Sequence, residues 1–238
     1  TISIKNFENI MQFSPFLKNL GIKSGNLKIS SKDFLNFDIF GENLKFDFGI
    51  LHKNGEAYNN DNFSLKVTPN LVSGESESKI LSFKFGKNKN VVNITNADYL
   101  VNLGDNGVNF ANESEKINFN GVNSNLILAD LNKTLNFLSY KGILDDTDTE
   151  IDAKFDKGDL KLKIKKNLLQ ALANNIESKT INSLIGSESF DGGVFELKAS
   201  GIGAKEFRGE IGVKDTFLKD VFFSFDITIM YNAMYCFY

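Results

Sequence analysis

The chain has no tryptophan and, in 238 residues, one cysteine (Cys236), one histidine (His52) and one arginine (Arg208). A single cysteine rules out a disulfide framework within the chain, and fits an envelope protein as well as a cytosolic one. One histidine and one cysteine at opposite ends supply neither a Cys/His nor a Ser/His/Asp nucleophile arrangement. Nor do they give the ligand set of a His/Cys metal site. A net charge of −3 lacks the basic footprint of a nucleic-acid partner. The lysine excess, with abundant Asn, Ile and Phe, matches the codon bias of an AT-rich genome and carries no functional weight. No charged segment followed by a long apolar run marks a signal peptide or membrane anchor. Both ends read as cuts in a longer protein.

The remaining candidates for chemistry are weak. His52 sits beside Lys53 in a Gly/Asn-rich turn and reads as solvated. Asp145-Asp146-Thr147-Asp148-Thr149-Glu150 lacks the glycine and the terminal glutamate spacing of an EF-hand and reads as a solvated loop. Gly201-Ile202-Gly203 joins two strands instead of a strand and a helix, so it is a turn and not a dinucleotide fingerprint. The expectation is a non-enzyme with no catalytic residues, no metal and no cofactor.

What the chain does have is phenylalanine, 23 of them, mostly in short segments where apolar and polar residues alternate. Leu44-Lys45-Phe46-Asp47-Phe48-Gly49-Ile50, Phe63-Ser64-Leu65-Lys66-Val67, Leu81-Ser82-Phe83-Lys84-Phe85 and Val194-Phe195-Glu196-Leu197-Lys198 are examples. Successive side chains on a strand point to opposite faces, so each segment has one greasy and one wet face. Turn signals such as Gly41-Glu42-Asn43, Lys53-Asn54-Gly55, Val72-Ser73-Gly74 and Gly86-Lys87-Asn88 separate them without a helix-length crossover. This predicts an antiparallel meander. Strands are also expected at Glu150–Phe155 and Leu160–Ile164, around the turn Asp156-Lys157-Gly158, and again at 192–198 and 207–213.

One amphipathic helix and one or two short ones are expected. Residues 5–20 read as a short helix broken by Pro15, and Ala129–Leu138 as a helix with Leu131, Leu135 and Leu138 on one face and Asp130 as N-cap. The longest spans Asn167–Ile185, where Leu168, Leu172 and Ile176 recur every four residues, Leu169, Ala173, Ile181, Leu184 and Ile185 widen the stripe, and Gly186 ends it. Residues 222–238 hold one charge and no lysine, and read as an atypical tail left by a reading-frame change or a premature end.

The predicted fold is therefore mainly β: a long, curved antiparallel sheet with one amphipathic helix and one or two short ones. A greasy sheet face can pack on a second sheet or curl into an open gutter for an apolar ligand. The stretch Ile127–Asn132 through 167–185 to Phe190-Asp191-Gly192-Gly193-Val194-Phe195-Glu196-Leu197, then Phe207-Arg208-Gly209-Glu210-Ile211 and Leu218-Lys219-Asp220, resembles the C-terminal region of AsmA-like bacterial envelope proteins, closest to the YhdP-type branch. The resemblance covers most of residues 1–221, and the tail departs from it. It implies an open β-groove (β-taco-like) segment of a larger periplasmic protein, anchored in the inner membrane by an N-terminal helix absent from this sequence. It further implies conduction of phospholipid toward the outer membrane, with acyl chains as the partner. The groove lining is then expected at Phe46, Phe48, Phe63, Leu65, Phe83, Phe85, Phe195 and Leu197. The rival expectation is a structural or adhesive β-module with a closed core. A carbohydrate binder would want exposed aromatic platforms, and the absence of tryptophan counts against it.

Overall fold

The computed structural model describes residues 1–5, 22–47, 51–87, 89–101, 116–129, 132–145, 148–165, 168–202 and 206–219. The expected helix at 5–20, Phe48 and the tail 222–238 lie outside them, save Lys5. The protein is mainly β, with a single α-helix among the described residues. It divides into two units, Thr1–Asp98 with Ile117–Asn120, and Tyr99–Lys116 with Gly121–Tyr238.

The first unit contains β1 (Ile2–Ile4), β2 (Ile22–Ser31), β3 (Phe37–Phe46), β4 (Leu51–Lys53), β5 (Glu56–Ala57), β6 (Asn60–Thr68), β7 (Leu71–Ser76), β8 (Leu81–Gly86) and β9 (Lys89–Thr95). The strands β2, β3, β6, β7, β8 and β9 pair in that order, all antiparallel. The short hairpin β4–β5 turns on Asn54 and Gly55, both at positive φ (52° and 82°), the geometry that an Asn-Gly pair adopts most readily. Register sets the faces. Ile39, Leu65, Gly74, Phe83 and Val92 lie opposite one another on the apolar side. Gly74 has no side chain because Phe83 and Leu65 fill its place: a Cβ there would come within 2.5 Å of the Phe83 ring.

In β3 the buried positions change parity, from Gly41 to Leu44 and Phe46. A register shift between Gly41 and Leu44 causes this, with Asn43 at φ 50° and its N–H donating to Asn62 Oδ1 (2.8 Å). It is a β-bulge with asparagine in the left-handed region.

Strands β10 (Asp98–Val101) and β11 (Ile117–Leu128) hold residues of both units. The second unit continues with β12 (Lys133–Leu144), β13 (Asp148–Phe155), β14 (Gly158–Lys165), β15 (Leu168–Glu177), α1 (Ser178–Ile185), β16 (Phe190–Asp191), β17 (Val194–Ile202), β18 (Glu206–Lys214) and β19 (Phe217–Leu218). Strands β12, β13, β14, β15, β17 and β18 pair antiparallel in sequence, and β16 pairs β19 separately. One apolar face carries Leu197, Ala173, Leu160, Ala153 and Tyr140 in a cross-strand row. The next row is Ala199, Ala171, Leu162, Ile151 and Gly142.

Two helix expectations are corrected. Residues 133–138 belong to β12 and not to a helix, with Phe137 buried and Leu138 exposed; Asp130 and Leu131 lie outside the described residues. The expected helix 167–185 is strand β15 as far as Glu177, and only Ser178–Ile185 is helical. Its stop is as expected, with Gly186 at φ 73° and its N–H bonded to the Asn182 carbonyl. The cause of the misreading is a second bulge. Leu169, Ala171 and Ala173 are buried, the register shifts between Ala173 and Ile176 with Asn175 at φ 54°, and Ile176 is buried next. Leu169, Ala173 and Ile176 therefore stand at i, i+4 and i+7, the spacing of a helical stripe, on a strand.

Candidate functional site

Alternation gives each unit one apolar and one polar sheet face, and the two units cover their apolar faces differently. In the second unit α1 lies over one end. Ala173, Ile176, Ile181, Phe190, Phe195 and Leu197 form one buried cluster. Phe195 is 1% exposed and meets the Phe190 ring edge-on at 4.8 Å. The buried Asn182 amide holds the cover in place: Nδ2 donates to the Phe190 carbonyl (2.7 Å) and Oδ1 accepts from the Phe190 N–H (3.1 Å). A neighbouring cluster of Leu126, Phe137 and Ala153 takes in Tyr99 and Tyr140, whose hydroxyls bond each other. Burial raises both phenols above their ordinary range.

In the first unit, Phe46, Phe63 and Phe83 are buried as well. Phe46 packs edge-on against Phe63 (5.8 Å) and Tyr58 (5.0 Å). The Tyr58 hydroxyl donates to Asp61 (2.7 Å), which also takes the Ser78 hydroxyl, and burial pushes the phenol up to about 12. Toward the other end the cover thins. Phe37, Val67, Val72 and Phe85 form a cross-strand row on β3, β6, β7 and β8, and each stays half-buried, as do Ile39 and Leu65 beside them. Phe85 stacks on Phe83 at 5.1 Å.

Of the expected lining residues, Phe46, Phe63, Phe83, Leu65 and Phe85 thus share one face of the first unit. Phe195 and Leu197 lie under α1 in the second. Sequence reasoning left out Phe37, Val67 and Val72; their signal was their place two residues from Ile39, Leu65 and Gly74 on the same strands.

The opposite face of the first unit is polar. Lys28, Phe40, Ser64, Glu75 and Ser82 stand in one row, and Ser30, Asp38, Lys66, Ser73 and Lys84 in the next. Both rows border a shallow depression of about 680 Å³. His52 lies half-buried in β4 instead of in a solvated turn.

Two polar clusters are tightly built. At the loop joining β2 to β3, the Asp33 carboxylate accepts from the N–H groups of Asn36 (2.8 Å) and Leu35 (2.9 Å) and from the Asn36 side chain (2.6 Å). These bonds, the Asn36 N–H first, lower its pKa to about 2. Beside α1, Glu177 pairs with Lys157 (2.7 Å) and Lys179 (2.9 Å), and Lys179 also pairs with Asp156. The Lys157 bond, then the Lys179 bond, bring Glu177 to about 2. Among the described residues no group of His, Cys, Asp or Glu stands together as a metal site, and no helix is long and apolar enough to cross a membrane. Comparison with family models, with curated proteins and with solved structures found no match.

Proposed function

We propose that the chain is a segment of a bacterial envelope protein whose apolar sheet faces carry phospholipid acyl chains between the inner and outer membranes. The full-length protein would be periplasmic and anchored in the inner membrane. The observation that supports this reading is the half-buried row Phe37, Val67, Val72 and Phe85, set beside Ile39 and Leu65 and running across successive strands. Large apolar side chains in an unbroken line, two-faced strands and turn-linked pairing are what an acyl chain needs. Each methylene withdrawn from water is worth about 0.8 kcal/mol, so a chain of about sixteen carbons crossing water bare faces roughly 12 kcal/mol. A continuous apolar row removes most of that barrier while the headgroup stays in water, and the task requires no catalytic residue. On this reading Phe46, Phe63 and Phe83 form the packed floor, and Phe85 and Leu65 touch lipid.

A second reading, a structural or adhesive β-module with a closed core, is favoured by the seal of α1 over Phe195. Native mass spectrometry of the protein purified without detergent, with lipid extraction of the same sample, separates the two. Bound phospholipid at defined stoichiometry, lost in Val67→Asp with Phe85→Asp while the strand signal in circular dichroism persists, is the expected result. A clean unliganded mass, with a cooperative melt that added phospholipid does not move, favours the closed module.

A further inference from the structure

The loop between β2 and β3 presents Phe34 and Leu35 to solvent, at 85% and 62% exposure. Phe34 also holds φ 58°, a conformation that a bulky side chain rarely adopts. The loop is nevertheless braced from within. The Phe34 N–H donates to Ser31 Oγ (2.9 Å), and the Leu35 and Asn36 N–H groups donate to Asp33. The backbone donors at the tip are satisfied inside the loop, so the tip can leave water without stranding them.

Its neighbours extend the feature. Phe37 pairs with Val67, Val67 with Val72 and Val72 with Phe85, so the β2–β3, β6–β7 and β8–β9 connections all leave the same end of the first unit's sheet. There Leu71 is a further exposed hydrophobe. Lys32 and Lys87 are exposed as well, and neither has an ion-pair partner among the described residues.

We propose that this end of the first unit docks on an anionic phospholipid bilayer, with Phe34, Leu35 and Leu71 entering the acyl boundary and Lys32 and Lys87 meeting headgroup phosphates. Two protruding side chains on one loop and a third at the start of β7 cannot supply the roughly 800 Å² per partner of a stable protein interface. They do suit a surface that closes around each of them, with flanking lysines reaching the phosphates. Asp33, held by the amides beneath the tip, stays at headgroup depth. The second unit also exposes a Phe–Leu pair, Phe217 and Leu218, but its adjacent Lys219 is tied to Asp191 (3.2 Å), so the assignment is confined to the first unit. Docking stands apart from lipid carriage: the tips can hold a bilayer whether or not lipid leaves it.

The test is sedimentation of the whole chain with vesicles of phosphatidylethanolamine and phosphatidylglycerol, and with phosphatidylcholine vesicles as the neutral control. Binding to the anionic vesicles is expected. Phe34→Gly with Leu35→Ser should weaken it about tenfold or more. Glycine favours the local φ, so that variant keeps its fold. Lys32→Gln and Lys87→Gln should each cost about fivefold on anionic vesicles and nothing on neutral ones. Phospholipid co-extracted from the tip variants should match that from the parent, which separates this proposal from the carriage reading. No sedimentation of the parent with anionic vesicles overturns it, as does binding that the variants leave unchanged. A concentration-dependent dimer abolished by the same variants would assign the tips to a second copy instead.

Discussion

The two units use one device for opposite ends. Each carries a bulge with asparagine in the left-handed region, Asn43 in β3 and Asn175 in β15, and each bulge shifts the buried set by one residue. In the second unit the shift delivers Ile176 to the cluster that α1 seals, and Phe195 is 1% exposed. In the first it delivers Leu44 and Phe46 to the end plugged by Tyr58, while Phe37, Val67, Val72 and Phe85 at the other end stay half-buried. The alternation in the sequence is the same. What differs is the covering element, and with it how deeply each greasy face is buried.

That contrast can be broken by substitution. Phe195→Ala should cost about 3–5 kcal/mol by urea denaturation, because a sealed ring leaves a cavity. Phe85→Ala, half-exposed to begin with, should cost about 1–2 kcal/mol; equal losses would mean that both faces are closed cores. Next in size come the glycines under aromatic rings. A Cβ at Gly121 would lie 1.7 Å from the Tyr140 ring and one at Gly74 would lie 2.5 Å from Phe83. Gly121→Ala should destabilise by about 1–3 kcal/mol, and Gly74→Ala by less, since Phe83 borders the thinner cover.

A smaller effect concerns charge. Glu177 is lowered from 4.5 to about 2 by Lys157 and then Lys179. A depressed carboxyl contributes stability above its unfolded pKa and loses it as pH falls through the folded one. The gap between the parent and Glu177→Gln should therefore be full near neutrality, shrink below pH 4.5 and close near pH 2. A gap independent of pH would remove the ion network from the account. Smallest of all, Phe34→Gly should raise stability by about 1 kcal/mol through relief of its positive φ, seen as a higher denaturation midpoint.

Much of this architecture was legible in the residues. Alternation located β6, β8, β13, β14 and β17, and Asn54-Gly55 and Asp156-Lys157-Gly158 marked turns, whereas the turns expected at Gly41-Glu42-Asn43 and Val72-Ser73-Gly74 lie inside β3 and β7. Alternation failed where a bulge interrupts it. A parity change turns one spacing of two into three, from Ala173 to Ile176. After the double step from Leu169 to Ala173 this imitates a helical stripe, a disguise that the small, helix-favouring Ala171 and Ala173 complete. Leu135 and Leu138 misled by their spacing alone, since Leu138 is exposed and Phe137 beside it is the buried residue of β12. The residues expected to line a groove were readable only as members of an apolar face. Which part of that face is sealed depends on α1 and Tyr58, whose partners are distant in the chain, and no local period encodes that. The Phe34–Leu35 tip drew no reading from the sequence, because what holds it as a loop is the set of Asp33 hydrogen bonds.

The most direct test of the central claim is photo-crosslinking with a phospholipid that carries a diazirine in its acyl chain, followed by peptide mapping. The account expects label on Phe37, Val67, Val72 and Phe85, with Leu65 next, and none on the intervening Asp38, Lys66, Ser73 and Lys84 of the opposite face. Label spread over both faces, or absent from that row at saturating lipid, would contradict it and leave a closed structural module.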